Sequence, residues 1–300
     1  TYGSDDGIPA PSYMLAQNGI YTIRRDDEAN SPDPITALGF DGTVRWDGVQ
    51  GGLAGASGEQ AFVYTGDLAT NPGLVALDAV TGQERWRKEY DGSLQFDSAV
   101  SPPFETGYVI GDTITAFDTD DGAMRWTYGS DGVDFWPSTV SNGVVYATAV
   151  GAQENGDDTI VAVADGELLW SNDLPDANVQ GAAAGTVLIQ DFAFEDRHPI
   201  YAFDATTGAE QWALEEILPV GVKIHGETLF VVEENRITAY RIAEGTKQWQ
   251  TDAVVDDRSI KVVNEGDNSE YSLYARTGNS LRRFDSSGEE RWTWSPDGRI

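Results

Sequence analysis

Cysteine is absent from the 300 residues. Disulfides, thiolate nucleophiles and cysteine–zinc sites are therefore excluded. Histidine occurs only at His198 and His225. No Ser–His–Asp assembly can be argued from two such residues in loop and strand-end positions. Lysine is confined to Lys88, Lys223, Lys247 and Lys261. No basic patch is visible to release counterions, so nucleic acid and anionic lipid are not expected as partners. No run of about 18 apolar residues exists, and no membrane span is expected in this chain. The polar opening, TYGSDDGIPAPSYM, has no apolar signal region, so any signal or anchor is expected to lie outside it. No segment keeps a helical period of apolar residues.

Acid is what the chain has in excess. There are 50 Asp and Glu against 19 Lys and Arg, a formal charge of −31 and a pI near 4.1. A charge of that size repels itself in dilute buffer. At about 1 M salt the Debye length falls to roughly 3 Å and most of the repulsion is screened. The composition therefore points to a protein adapted to high salt. Carboxylates this abundant cannot mark acid–base catalysis by their number alone.

The second abundance is a repeat. Seven tryptophans each stand four positions after a glycine: Gly42/Trp46, Gly82/Trp86, Gly122/Trp126, Gly166/Trp170, Gly208/Trp212, Gly245/Trp249 and Gly288/Trp292. The tryptophans are separated by 40, 40, 44, 42, 37 and 43 residues. That period fits a four-stranded propeller blade. Val, Ile, Tyr, Phe and Trp fill the runs, and Gly, Asn, Asp, Pro and Ser punctuate them. In blade three, LQFDSAVSP leads into a first strand, followed by GYVIGD, ITAFD and AMRW.

The phrase IYAFDATTGAEQW (200–212) returns as LVALDAVTGQERW (74–86) and ITAFDTDDGAMRW (114–126). It reads as a hairpin. Asp78, Asp118 and Asp204 cap the turn, and Gly82, Gly122 and Gly208 take positive φ. The tryptophan on the outer strand is a large anchor, and Ala76, Ala116, Ala202 and Ala239 are small where the third strand lies close to something bulky. Arg45, Arg85, Arg125 and Arg291 precede a motif tryptophan and are expected to pair with carboxylates. Gly52, Ser98, Ser138, Gly181, Gly221 and Ser259, with Ser12, are the small residues expected near the starts of the first strands. The phrase builds a shape and holds no nucleophile, base or ligand set.

The pattern A-x-D-x-x-T-G-x-x-x-W resembles the PQQ-like β-propeller repeat. Ala76, Asp78, Thr81, Gly82 and Trp86 fit it, as do Ala202, Asp204, Thr207, Gly208 and Trp212. The resemblance runs from about residue 11 to 294. It implies an all-β fold, a seven-bladed β-propeller of four-stranded antiparallel blades, as one domain over residues 1–300. Eight blades are the alternative count. It also implies that Trp46, Trp86, Trp126, Trp170, Trp212, Trp249 and Trp292 dock between blades. One group in this family is made of quinoprotein dehydrogenases, which bind pyrroloquinoline quinone and calcium, often over a vicinal disulfide, in chains about twice this length. The other uses the ring as a scaffold without cofactor, as in the bacterial outer-membrane-protein assembly lipoprotein. Similar proteins of salt-loving archaea are exported or surface-anchored. The missing cysteines and the short chain favour the scaffold group. The expectation is a monomeric, non-catalytic module without cofactor, exported or at the cell surface, that binds a protein or a cell-surface component. The alternative is a quinone- and calcium-dependent oxidoreductase.

Propellers bind partners at the mouth of the central channel, and the residues before each inner strand line it. The candidates are Gln50, Phe96, Asp97, Asp134, Phe135, Trp136, Asn178, Gln180, Asp257 and Arg258. Trp136, beside Asp134 and Phe135, is either an aromatic offered to a sugar, a peptide or a partner side chain, or a plug packed against neighbouring loops. Three acidic loops, 151–159, 194–199 and 264–270, have oxygen ligands that calcium prefers, but none has the spacing of an EF-hand. GGLAGASG (51–58) lacks the lysine of a P-loop. No catalytic residue is assigned.

Overall fold

A computed structural model describes residues 12–23, 34–65, 73–90, 92–129, 132–151, 158–252, 260–265 and 271–295. These residues form 28 strands in seven four-stranded antiparallel sheets, and no helix. Sheet one is β1 (Ser12–Ala16), β2 (Gly19–Ile23), β3 (Pro34–Leu38) and β4 (Val44–Gln50). Sheet two is β5 (Gly52–Ser57), β6 (Gln60–Thr65), β7 (Gly73–Asp78) and β8 (Glu84–Glu89). Sheet three is β9 (Ser93–Gln95), β10 (Thr106–Ile110), β11 (Ile114–Asp118) and β12 (Met124–Tyr128). Sheet four is β13 (Asp134–Ser141), β14 (Val144–Val150), β15 (Thr159–Ala164) and β16 (Glu167–Asp173). Sheet five is β17 (Ala177–Ala183), β18 (Thr186–Asp191), β19 (Ile200–Asp204) and β20 (Glu210–Leu214). Sheet six is β21 (Gly221–His225), β22 (Thr228–Glu233), β23 (Arg236–Arg241) and β24 (Thr246–Asp252). Sheet seven is β25 (Ile260–Asn264), β26 (Tyr271–Thr277), β27 (Ser280–Phe284) and β28 (Glu290–Trp294).

Every sheet is a meander in chain order, so sheet one is complete within the N-terminal strands. Among the described residues the chain forms two compact units: residues 12–143 with 165–167, and residues 144–164 with 168–295. In the first unit the core lies between successive sheets. Tyr21, Ile35 and Trp46 pack against Ala61, Val63, Val75 and Leu77, and Phe62, Leu74 and Trp86 against Leu94, Val109 and Phe117. The second unit repeats the plan, with Tyr146, Ile160 and Trp170 against Val179, Val187 and Ile189.

Strand chemistry follows position. The best covered middle strands are buried on both faces: all six residues of β18 are buried, as are the first five of β7, whereas β27 is only half-buried. The fourth strand is an edge, and in β8 only Trp86 is buried among six residues that are otherwise charged. That one indole accounts for most of the apolar surface the edge buries, a gross contribution of about 4–6 kcal/mol at ~25 cal/mol per Å².

The repeated phrase is a hairpin with a bulge. Ala76 pairs with Trp86, Ala116 with Trp126, Ala202 with Trp212 and Ala239 with Trp249, and each register shifts immediately afterwards. A larger residue at the alanine position would crowd the indole beside it. In the turn, Asp204 Oδ1 accepts the Thr206 and Thr207 N–H groups at 3.0 and 2.8 Å and the Thr207 hydroxyl at 2.9 Å. Asp78 makes the same three bonds with Val80 and Thr81. Its other oxygen accepts Arg85 Nη2 at 2.7 Å, and Asp118 accepts Arg125 at 2.8 Å. Arg85 and Arg125 thus clamp the motif aspartate, whereas Arg45, expected to pair with a carboxylate, donates to the Asn18 carbonyl.

Two-residue turns join many first and second strands. In the β13–β14 turn Asn142 and Gly143 have φ of 52° and 76°, the pair of positive angles that a type I′ hairpin requires. Sheet three departs from this pattern. β9 is three residues long and ten residues, 96–105, separate it from β10. The sequence suggested a first strand after Phe96; the strand precedes it. Ser98 therefore lies outside the strand, while Gly52 and Gly221 open β5 and β21. Ser259 lies outside the described residues.

Candidate binding site

Within the first unit the candidate mouth residues fall at more than one place. Gln50 ends β4, and Asp134, Phe135 and Trp136 open β13. Phe135 is buried, whereas Trp136 is 62% exposed. Phe96 and Asp97 follow β9 instead of preceding it. Asp97 forms a parallel bridge with Val140, near the end of β13. Val140 is six residues beyond Asp134, or about 20 Å along an extended strand at ~3.3 Å per residue. Phe96 and Asp97 thus belong to the far end of that strand from Asp134 and Trp136. In the second unit Asn178 is exposed and Gln180 half-buried inside β17. Asp257 and Arg258 lie outside the described residues.

The tryptophans occupy recurring sites. The Trp46 ring lies 2.7 Å from where a Cβ on Gly82 would be, and its N–H donates to the Ala79 carbonyl at 3.1 Å. Trp86 lies on Gly122 and donates to Thr119 O at 2.9 Å. Trp126 lies 3.4 Å from the Gly166 position. Trp170, Trp212 and Trp249 lie on Gly208, Gly245 and Gly288 and donate to Ala205 O, Ile242 O and Ser286 O. Gly82, Gly122, Gly208, Gly245 and Gly288 thus have a second use that the sequence did not suggest: each leaves room for the indole of the preceding repeat, whereas nothing lies within 4 Å of the Gly42 position. Trp292 differs, being 38% exposed and paired with Arg283 in place of alanine.

The ten-residue connection between β9 and β10, residues 96–105, is bonded at both of its ends. The Asp97 carboxylate, 9% exposed, accepts three backbone N–H groups: Ala99 at 2.9 Å, Asn142 at 3.0 Å and Gly143 at 2.7 Å. Ser98 donates through both its N–H and its hydroxyl to Val140 O at 2.8 Å. At the other end Phe104 N–H donates to Ser57 Oγ at 2.7 Å, and Phe104 O accepts the Thr119 hydroxyl at 2.6 Å. Between them the Phe96 and Phe104 rings stack at 4.7 Å with 10° between planes. The connection is held from both sides, not loose.

Two cavities flank it. The first, about 350 Å³, is walled by Met14 to Asn18, Gly55 to Gly58, Phe96 and Pro102. Its turns are tied together by Asn18, whose Nδ2 donates to Gly58 O at 2.8 Å and Gln60 O at 3.1 Å. The second, about 320 Å³, is lined by Asp97, Val100, Pro103, Phe104, Glu105, Thr106, Tyr108 and Gly143. Burial raises the Tyr108 hydroxyl above its usual range, with Asp97 adding to the effect and Arg125 opposing it.

Four displaced carboxylates belong to the turns. Arg85 beside Asp78 and the Thr81 N–H hold that carboxyl well below its ordinary value. Arg125 does the same for Asp118, and the Thr207 N–H and hydroxyl for Asp204. Burial opposes the shift at Asp285, but bonds from Ser287, the Glu289 N–H and Arg291 bring it down to about 2.

Among the described residues no three His, Asp or Glu side chains converge as a metal-binding set. In the acidic loop 194–199, Arg197 lies over the Phe194 ring at 4.5 Å and bonds Glu216 at 3.1 Å. Most of the loops 151–159 and 264–270 lies outside the described residues. His198 packs on Phe192 at 5.0 Å, and His225 Nε2 bonds Asn264 Oδ1 at 2.7 Å. No helix of the described residues is long and apolar enough to cross a membrane.

Solved structures with this arrangement are similar over almost the whole chain. BamB from Moraxella catarrhalis is 15% identical with a TM-score of 0.57, covering 96% of this chain and 88% of its own. The computationally designed Ika8 protein is 12% identical with a TM-score of 0.59, covering 96% and 87%. A europium-containing methanol dehydrogenase is 13% identical with a TM-score of 0.54, covering 96% and 78%. No curated protein matches. The seven sheets and these likenesses define the class: an all-β propeller of seven four-stranded blades. Within that class the chain belongs to the PQQ-like repeat family described as outer membrane protein assembly factor BamB, whose model matches residues 33–251 and 196–299.

Proposed function

We propose that this chain is a non-catalytic binding scaffold, exported or displayed at the surface of a cell that lives in high salt. The observation that carries the reading is membership, over residues 33–299, of a family described as an assembly factor. The charge of −31 supports the salt environment. The pairing of Asp78, Asp118 and Asp285 with Arg85, Arg125 and Arg291 supports a structural role for these carboxylates.

The quinone-dependent oxidoreductase alternative has the fold likeness to a methanol dehydrogenase behind it, at 13% identity. A reconstitution separates the two. The protein is incubated in molar salt with pyrroloquinoline quinone and calcium, then assayed for quinone absorbance and for dye reduction with simple alcohols. The scaffold reading expects neither retained quinone nor turnover. Stoichiometric quinone with dye reduction contradicts it.

A further inference from the structure

We infer that the β9–β10 connection is a docking ridge for an extended partner segment carrying one apolar and one basic side chain a few residues apart. This rests on the scaffold reading and gives it a place and a ligand chemistry.

The geometry comes from adjacent residues facing opposite ways. Phe96 and Pro102 line the first cavity, while their chain neighbours Asp97 and Pro103 line the second. The two cavities thus stand back to back across one thickness of chain. Their chemistries differ. The first is walled by Met14, Leu15, Phe96 and Pro102, and accepts an apolar side chain. The second carries the carboxylates of Asp97 and Glu105 against Val100, Phe104 and Tyr108. Among the described residues no lysine or arginine lines it, and the nearby guanidinium of Arg125 is engaged by Asp118 and Thr106. A lysine or arginine stem would lie along the apolar wall with its charge at the carboxylates.

Three further observations fit this occupant. Leu15 and Val100 are 68% and 51% exposed, and a seated segment would cover both. The ridge is already fixed by Asp97, Ser98 and Phe104, so binding costs little ordering on this side. The charge of −31 repels an anionic partner and a second copy of this chain alike. A contact inside a recess also persists in salt that screens longer-range attraction. In an extended segment, side chains on the same side are about 7 Å apart, so the two anchors stand roughly two to four residues apart.

The test is selection of a library of short random peptides on the immobilised full chain in molar salt. The expected winners pair Leu, Ile or Phe with Lys or Arg at one recurring spacing, and bind as synthetic peptides with Kd of about 10–100 μM. Glu105→Lys, at an exposed carboxylate, is expected to weaken them about tenfold or more, and a peptide with its basic residue changed to Glu regains affinity for that variant. Leu15→Asp and, separately, Val100→Asp weaken the same peptides. Near-ultraviolet dichroism and melting confirm that each variant is folded. Glu227→Lys, on the second unit, serves as the neutral control. Winners without a basic residue, winners indifferent to Glu105→Lys, or no winners at all overturn the proposal. The scaffold reading would survive such a result, since it falls only to quinone-dependent turnover.

Discussion

The indole of Trp170 fills the space in which a Cβ on Gly208 would sit, 2.7 Å from the nearest ring carbon, and its N–H donates to Ala205 O at 3.1 Å. Glycine and tryptophan of successive units are thus complementary shapes. The same fit recurs at Trp46 with Gly82, Trp86 with Gly122, Trp212 with Gly245 and Trp249 with Gly288.

Adding one carbon at Gly208 therefore carries two penalties. Its φ is 70°, and the new methyl meets the ring. Gly208→Ala is expected to destabilise by about 2–4 kcal/mol, combining the left-handed backbone cost with overpacking. Gly143→Ala has the same backbone sign but nothing within 4 Å, so about 1 kcal/mol is expected. Urea unfolding of the two variants measures the difference.

Removing an indole should depend on where it sits. Trp86 is 8% exposed, and Trp86→Ala is expected to cost about 3–5 kcal/mol. Trp292 is 38% exposed, so Trp292→Ala should cost clearly less. Equal losses in denaturant melts would count against the burial argument.

Acid should unfold the chain through its turn carboxylates. Asp78, Asp118 and Asp204 are held below the ordinary value, and Asp285 at about 2. An unfolded aspartate titrates near 3.9, so between roughly pH 4 and 2 the unfolded chain holds more protons. The stability these groups add is present above about pH 4 and is lost as pH falls through their folded values. Asp78→Asn should flatten the pH dependence of melting in that window and leave its slope above about pH 5 unchanged.

Salt should act in the opposite sense from its usual effect on surface ion pairs. With −31 charges, repulsion dominates the pairs such as Arg85–Asp78 at 2.7 Å. Raising NaCl from about 0.1 to 2 M shortens the Debye length from ~10 Å to below ~3 Å and should raise the melting temperature. A melting temperature independent of salt would contradict the salt-adapted reading.

The repeat was legible because its signal is local. The Gly–Trp spacing and the Asp that caps each turn lie within a few residues of one another. Ala202 also read as small for a reason, and its partner is Trp212. What escaped depends on contacts between distant positions. Asp97 looks like any turn aspartate, yet its bonds go to Asn142 and Gly143, about 45 residues on. The cavity at Phe96 is closed by turns near residues 17 and 58, which no single window of sequence joins. Shortening β9 to three residues also moved Phe96 and Asp97 to the other end of the inner strand from Asp134.

The central claim is that five motif indoles, those of Trp46, Trp86, Trp170, Trp212 and Trp249, are seated on the turn of the following repeat and bonded to it through their N–H. Hydrogen exchange of ¹⁵N-labelled tryptophan side chains tests this most directly, with signals assigned by single replacements. The indole protons of Trp46, Trp86, Trp170, Trp212 and Trp249 should exchange slowly and together, while that of Trp294, 53% exposed, exchanges at once. Rapid exchange at those five positions, in a chain that remains folded, would contradict it.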